Sequence, residues 1–259
     1  MKLRVAHNVY ITGMEPGSGK SIVALGLMET LAGRIERTGF FRPIVASAEK
    51  PDPQIELIRR RYRLKTSYQE MHAVVAPHAH ALIATNRYAE LEQRVFDAYK
   101  ALERRFEVIV CEGTDFVGVA PALDFDLNAT LANQLGCPVL VVIRGASVPD
   151  IASAVRVAKA SLQGKGCSLF GAIVNRVPEA ALAEMRAHSV AYDPGEPLYV
   201  LPENPALGHP TMQQVADELD PAVQRRRDRG PWGSDDGDPH DGGHANGCLL
   251  GFRNAPRAH

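Results

Sequence analysis

The sequence is short of the features that mark several large classes of protein. Its four cysteines, Cys111, Cys137, Cys167 and Cys248, form no CxxC pair and no Cys/His metal spacing. The first three sit in or beside apolar runs, where a thiol packs as a small hydrophobe, so no disulfide framework is expected and a reducing, cytoplasmic compartment fits. Charge of one sign is also missing: 29 Lys and Arg face 30 Asp and Glu, a formal net charge of −1. Neither nucleic acid nor an anionic membrane is therefore an expected partner. Long apolar runs are absent at the start of the chain. Met1-Lys2-Leu3-Arg4 is followed by a short apolar stretch broken by His7 and Asn8, too short for a signal peptide or a membrane span. No internal repeat is visible.

What remains is a chain of 259 residues, 45% of them apolar, enough for one large domain or two small ones. Buried strands are expected at 8–13, 37–45, 106–111, 138–144, 168–175 and 197–201, with the second broken at Arg42-Pro43. Helical spacing runs through 21–34, where Val23, Leu27 and Leu31 share a face. It returns at 54–62, 90–105, 129–135, 149–162 and 180–188. Residues 72–87 read as an irregular or helical insertion, and His72, His78 and His80 within it read as surface residues. Strands that are apolar throughout and alternate with helices predict an α/β fold, a parallel sheet flanked by helices and joined by right-handed crossovers. This domain is expected over 1–220. From 221 to 259 Gly, Asp, His and Arg mix without periodicity, which predicts a disordered tail.

The strongest motif is Gly13-Met14-Glu15-Pro16-Gly17-Ser18-Gly19-Lys20-Ser21, between an expected strand and an expected helix. Its glycines let backbone N–H groups curl around a phosphate, and the helix N-terminus adds partial positive charge. Lys20 would reach the terminal phosphates and Ser21 would ligate Mg²⁺. The spacing is G-x5-GKS, one residue longer than G-x4-GK[ST], because position 14 is methionine. Gly13, Glu15, Pro16, Gly17, Ser18, Gly19, Lys20 and Ser21 are thus candidate nucleotide-binding residues. The alternative is a glycine-rich turn that binds nothing.

Other candidates lie at expected strand ends, which open onto the ligand crevice of such sheets. Glu112 could bind Mg²⁺ directly or through water, or be a solvated acid. Asp115 is a second acid there, or shapes a turn. Arg42 could hold an anion. Asp52 could complete the metal shell with Ser21 and Glu112, or cap the next helix. Asn175 could pair with an adenine edge, and Pro202 and Glu203 could line the same base pocket. All three also suit ordinary turns.

Several segments together resemble the amino-terminal domain of long bacterial phosphate acetyltransferases. They are Tyr10-Ile11-Thr12, the loop EPGSGKS, 23–27, 39–44, 55–59, 111–116, 126–129 and Leu201-Pro202-Glu203, and the resemblance runs from about Asn8 to Leu219. It implies a P-loop nucleoside triphosphatase fold of the dethiobiotin synthetase type, whose members share the longer loop. It also implies a regulatory and oligomer-assembling role in an enzyme interconverting acetyl-CoA and phosphate with acetyl phosphate and CoA. The acyl-transfer domain of that enzyme lies beyond the matched region and is not expected in this chain. The tail resembles nothing next in the family, which suggests a frameshift or truncation. ATP or a related nucleotide with Mg²⁺ is the implied ligand, and a homo-oligomer the implied assembly. The second expectation is an ATP-dependent carboxylating ligase like dethiobiotin synthetase, and the third a scaffold with a vestigial loop. Against the synthetases, Arg42 replaces a lysine, Gly17 replaces a glutamate, and Gln54 precedes helical residues where they carry a metal-binding aspartate. Arginine cannot stand in for lysine where a substrate must be positioned.

Overall fold

The computed structural model describes residues 8–115, 121–145, 148–190 and 197–205. Along the chain they form β1 (Val9–Gly13), α1 (Lys20–Ala32), β2 (Thr38–Phe41), β3 (Ile44–Val45), α2 (Pro53–Arg61), β4 (Val74–Val75), α3 (Ala76–Ala84) and α4 (Tyr88–Glu103). There follow β5 (Val108–Glu112), α5 (Pro121–Gln134), β6 (Val139–Arg144), α6 (Val148–Gly164), β7 (Leu169–Val177), α7 (Leu182–Val190) and β8 (Leu198–Pro202). Six strands make one sheet in the order β2-β5-β1-β6-β7-β8, every pairing parallel.

Alternation along each strand sorts the core onto two faces. Val9, Ile11, Phe40, Val110, Leu140 and Val142 join one apolar cluster with Val23, Ala24 and Met28 of α1 and Ile55 and Ile58 of α2. Their neighbours Tyr10, Phe41, Ile109, Cys111, Val139, Val141 and Ile143 join the other, with residues of α3, α4, α5, α6 and α7. Burial on both faces is why these strands read as continuous apolar runs. Cys111, Cys137 and Cys167 are buried and unpaired, as small core residues.

Strand order reverses at β1, whose neighbours are β5 on one side and β6 on the other. The carboxyl ends of the strands at such a reversal leave a crevice between diverging loops, the usual ligand position in open α/β sheets. The loop after β1 sits there.

Three elements differ from the sequence expectation. Residues 37–45 are not one strand. Pro43 has no N–H for a ladder and Arg42 donates its own to Met71 O at 2.9 Å, so the chain leaves the main sheet. Ile44 and Val45 pair instead with Val74 and Val75 in a separate ladder. The insertion at 72–87 therefore holds a strand and the helix α3. The helix expected at 129–135 begins at Pro121, its first turns hidden from periodicity by Asp124, Asp126 and Asn128. Residues 221–259, including Cys248, lie outside the described residues. Among the described residues no helix is long and apolar enough to cross a membrane.

Candidate functional site

Two glycines in left-handed conformation, Gly17 (φ +71°) and Gly19 (φ +97°), turn the loop from β1 into α1. Such angles suit glycine above other residues. Gly13 serves a different end: a Cβ there would collide with the Ser18 hydroxyl, so the buried Ser18 side chain fills the space that the first glycine leaves. Glu15, Pro16 and Gly17 form the exposed tip, while Ser18 and Lys20 are buried. The first turn of α1 carries no acidic residue and no side-chain cap. Its leading N–H groups thus have no anion of its own, the setting in which helix N-termini bind one.

Around the loop five charged side chains interlock. Lys20, 4% exposed, pairs with Asp115, which is 32% exposed. Ser21 donates its hydroxyl to Glu112 Oε1 at 2.7 Å. Arg42 reaches Asp52 Oδ1 at 3.1 Å and Glu112 Oε1 at 3.8 Å. Two cations thus face three carboxylates. Burial pushes the Glu112 carboxyl above its ordinary range, Arg42, Ser21 and Lys20 pull it back, and Asp52 adds to the rise. Four buried side-chain atoms, Thr12 Oγ1, Ser18 Oγ, Arg42 Nε and Glu112 Oε2, have no hydrogen-bond partner in the protein. Buried polar atoms are seldom left so, and a group of them marks a place prepared for something polar.

Supporting contacts hold this arrangement. Asp52 caps α2 by accepting from Gln54 N (3.0 Å) and Ile55 N (3.1 Å). Its own N–H donates to the Tyr68 hydroxyl at 2.9 Å. Gln54 Nε2 donates to Ser21 O at 2.8 Å, tying α2 to the start of α1. Behind Glu112, Asn128 accepts from Thr114 N (3.1 Å) and the Tyr10 hydroxyl (2.9 Å) and donates to Thr114 O (2.9 Å) and Asp124 O (2.8 Å). Thr114 Oγ1 donates to Ile44 O at 2.6 Å. The turn that places Asp115 is fixed from both sides.

A cavity of about 270 Å³ opens beside the network, lined by Arg42, Asp52, Thr114, Asp115, His80 and Pro77 among others. His80, expected among the surface residues, is half-buried where α3 carries it to this wall. The structure gathers Lys20, Ser21, Arg42, Asp52, Glu112 and Asp115 around one point. Asp52 both caps its helix and joins Ser21 and Glu112 through Arg42. Asn175 reaches the loop directly, donating Nδ2 to Ser18 O at 2.9 Å. Pro202 and Glu203 stand apart at the exposed end of β8, three strands from β1, where Glu203 N–H donates to Val177 O at 2.9 Å. Thr114 and Asn128 lie in segments that carry the family resemblance, but their contacts, like those of Gln54 and Tyr68, are revealed only by the tertiary fold.

Mg²⁺ is held by few protein oxygens, completing its octahedron with water and phosphate. The Ser21–Glu112 pair, with an unpartnered Glu112 oxygen, fits that demand. Among the described residues no group of three or more His, Cys, Asp and Glu side chains is placed to hold a metal alone.

A family model described as an AAA domain matches residues 7–211. The chain is 37% identical over 220 residues to a phosphate acetyltransferase of Nitratidesulfovibrio vulgaris, an alignment covering 82% of this chain and 31% of that protein. It is 30% identical over 184 residues to the phosphate acetyltransferase of Synechocystis, covering 70% of this chain and 26% of that one. The chain thus spans under a third of the length of these relatives. The ATP-dependent dethiobiotin synthetase of Methanococcus vannielii is 23% identical over 181 residues, 67% of this chain and 81% of that one. Among solved structures, a candidate plasmid partition protein from Borrelia burgdorferi B31 bound to AMPPNP shares the fold, with 11% identity and a TM-score of 0.50 over 78% of this chain and 86% of that one.

Proposed function

This chain belongs to the AAA domain family, and on that premise we propose that it is a nucleotide-binding regulatory and assembly domain of the phosphate acetyltransferase type. The observation that carries the reading is the conjunction at the loop. A left-handed Gly17/Gly19 turn presents the N-terminus of α1, Lys20 lies buried beside it, and Ser21 is hydrogen-bonded to a strand-end Glu112 with an unpartnered oxygen. The ligand is ATP or a related nucleotide with Mg²⁺. Residues 13 and 15–20 would hold phosphates with Arg42 as a further cation and Asn175 at the loop, and Pro202 and Glu203 would be the candidates for the base side. Ser21 and Glu112 would hold the metal, Asp52 completing its shell through water. Mg²⁺ would supply positive charge against the phosphates.

Lys20 is already neutralised by Asp115. An incoming phosphate competes for that ammonium, and the turn 113–115 feels the outcome. Binding thereby biases one arrangement over another and can alter a homo-oligomeric interface, by no more than its differential affinity for the two states. The whole relative's acetyl transfer between CoA and phosphate is the activity this domain would regulate. Calorimetric titration with ATP, ADP and GTP plus Mg²⁺ tests the reading. Saturable heat is expected with at least one; none with all three rejects it.

A second reading, a carboxylating ligase, draws on the match along four fifths of a dethiobiotin synthetase. Arg42 argues against it, since its guanidinium is engaged by Asp52 and Glu112 where a substrate-positioning lysine would be needed. Phosphate release dependent on a diamino acid and bicarbonate would establish it.

A further inference from the structure

Asn175 stands on β7, 157 residues from the carbonyl it binds, and the backbone is distorted to put it there. The pairing of β7 with β8 shifts register between Val174 and Val177. Within that irregularity Arg176 adopts φ +60°, an uncommon angle for a long side chain. The end of β6 is shaped to receive the kink. Gly145 N donates to Asn175 O at 2.6 Å. A Cβ on Gly145 would lie 2.6 Å from Arg176 O and 2.8 Å from Val177 Cα. Bulges of this kind re-aim a side chain beside a functional site. Here the re-aimed amide is buried, 7% exposed, and occupies the space where a side chain on Gly19 would lie.

The peptide plane gives the contact its meaning. In a trans peptide C=O and N–H point in opposite directions within one plane. Drawing Ser18 C=O toward Asn175 therefore aims the Gly19 N–H the other way, and Gly19 is the residue through which the loop enters α1. We propose that Asn175 is a positioning residue of the phosphate loop, setting the Ser18–Gly19 peptide, rather than a reader of the nucleotide base; this rests on the nucleotide reading above. Its consequence is that Asn175 acts on any polyphosphate, whatever base is attached.

The test titrates wild type, Asn175→Ala and Gly145→Ala with MgATP, MgGTP and inorganic tripolyphosphate with Mg²⁺, with thermal unfolding of each. Asn175→Ala is expected to weaken all three ligands by a common factor of about ten, the loss of one buried hydrogen bond. Gly145→Ala is expected to weaken all three in the same direction while leaving the amide in place. Asn175→Ser, which keeps a shorter donor, should lie between and serves if the alanine variant does not fold. A loss confined to ATP would overturn the proposal in favour of base recognition. Unchanged affinities in variants of a wild type that binds would overturn it too. A wild type that binds neither nucleotide nor tripolyphosphate rejects the nucleotide reading, and this inference with it.

Discussion

The two ends of β1 carry buried polar groups in opposite conditions. At the amino end Asn8 donates to the Tyr99 hydroxyl and accepts from Ile109 N at 2.9 Å. Tyr99 in turn contacts Cys137 Sγ at 3.4 Å. This polar group ties β1 to β5 and α4, and its charged neighbour Glu103, which accepts from Asn8 Nδ2 at 3.5 Å, is itself paired with Lys100 at 2.6 Å, so no charge is left over. At the carboxyl end Thr12, Ser18, Arg42 and Glu112 leave atoms without partners, and five charges crowd together with one carboxylate in excess. One end is satisfied and serves the fold. The other holds what folding alone would not select, as expected where stability yields to function.

Four substitutions break or sharpen that contrast. Lys20→Ala should have the largest effect on ligand: affinity for MgATP falls at least a hundredfold, about 3 kcal/mol. The melting temperature should change little, since Asp115 can turn to water. Parallel calorimetry and thermal unfolding check this, and unchanged affinity would mean that the loop is vestigial. Asn8→Ala should do the reverse. It strands the buried Ile109 N–H and costs about 2 kcal/mol of stability, with nucleotide affinity unaltered. An equal loss of binding would show that the two ends are not separate.

Glu112→Gln should divide the properties of one residue. A carboxyl whose folded value lies above its ordinary 4.5 keeps its proton longer in the native chain than in the unfolded one. Its contribution to stability therefore declines as pH rises from about 4.5 through the raised value, and the penalty persists at neutral pH. The variant should melt higher than wild type at pH 7, lose that advantage below about pH 4.5, and bind nucleotide with a weakened Mg²⁺ dependence. Melting scans across pH settle the sign. The smallest effect is expected at the surface, where Arg61 and Glu29 pair at 3.1 Å with both side chains more than half exposed. Arg61→Ala should move the melting temperature by about a degree or less.

Legibility in the sequence followed chain distance. The α/β class and the loop were readable because each depends on a short window: apolar strands of four to nine residues, and glycines at fixed spacing before a lysine. Glu112 was readable as a candidate because it ends such a strand. Asn175 was readable as a strand-end amide. Its bond to Ser18 depends on a register shift and on Gly145, which no local pattern discloses. The break at Pro43 was in view, but the partner that receives Ile44 and Val45 lies thirty residues on, in a segment whose periodicity is too short to assign. His80 shows no metal spacing in the sequence, and its place on the cavity wall follows from α3, a helix of nine residues next to the short β3–β4 ladder.

The central place of β1 also has a temporal side. Its residues pair with 110–112 and with 139–142, so once made this strand has no hydrogen-bonding neighbour until about a hundred further residues have been synthesised. At about 5–20 residues per second that delay is on the order of ten seconds. Throughout it an apolar segment waits unpaired, a natural client for a chaperone that shields nascent chains.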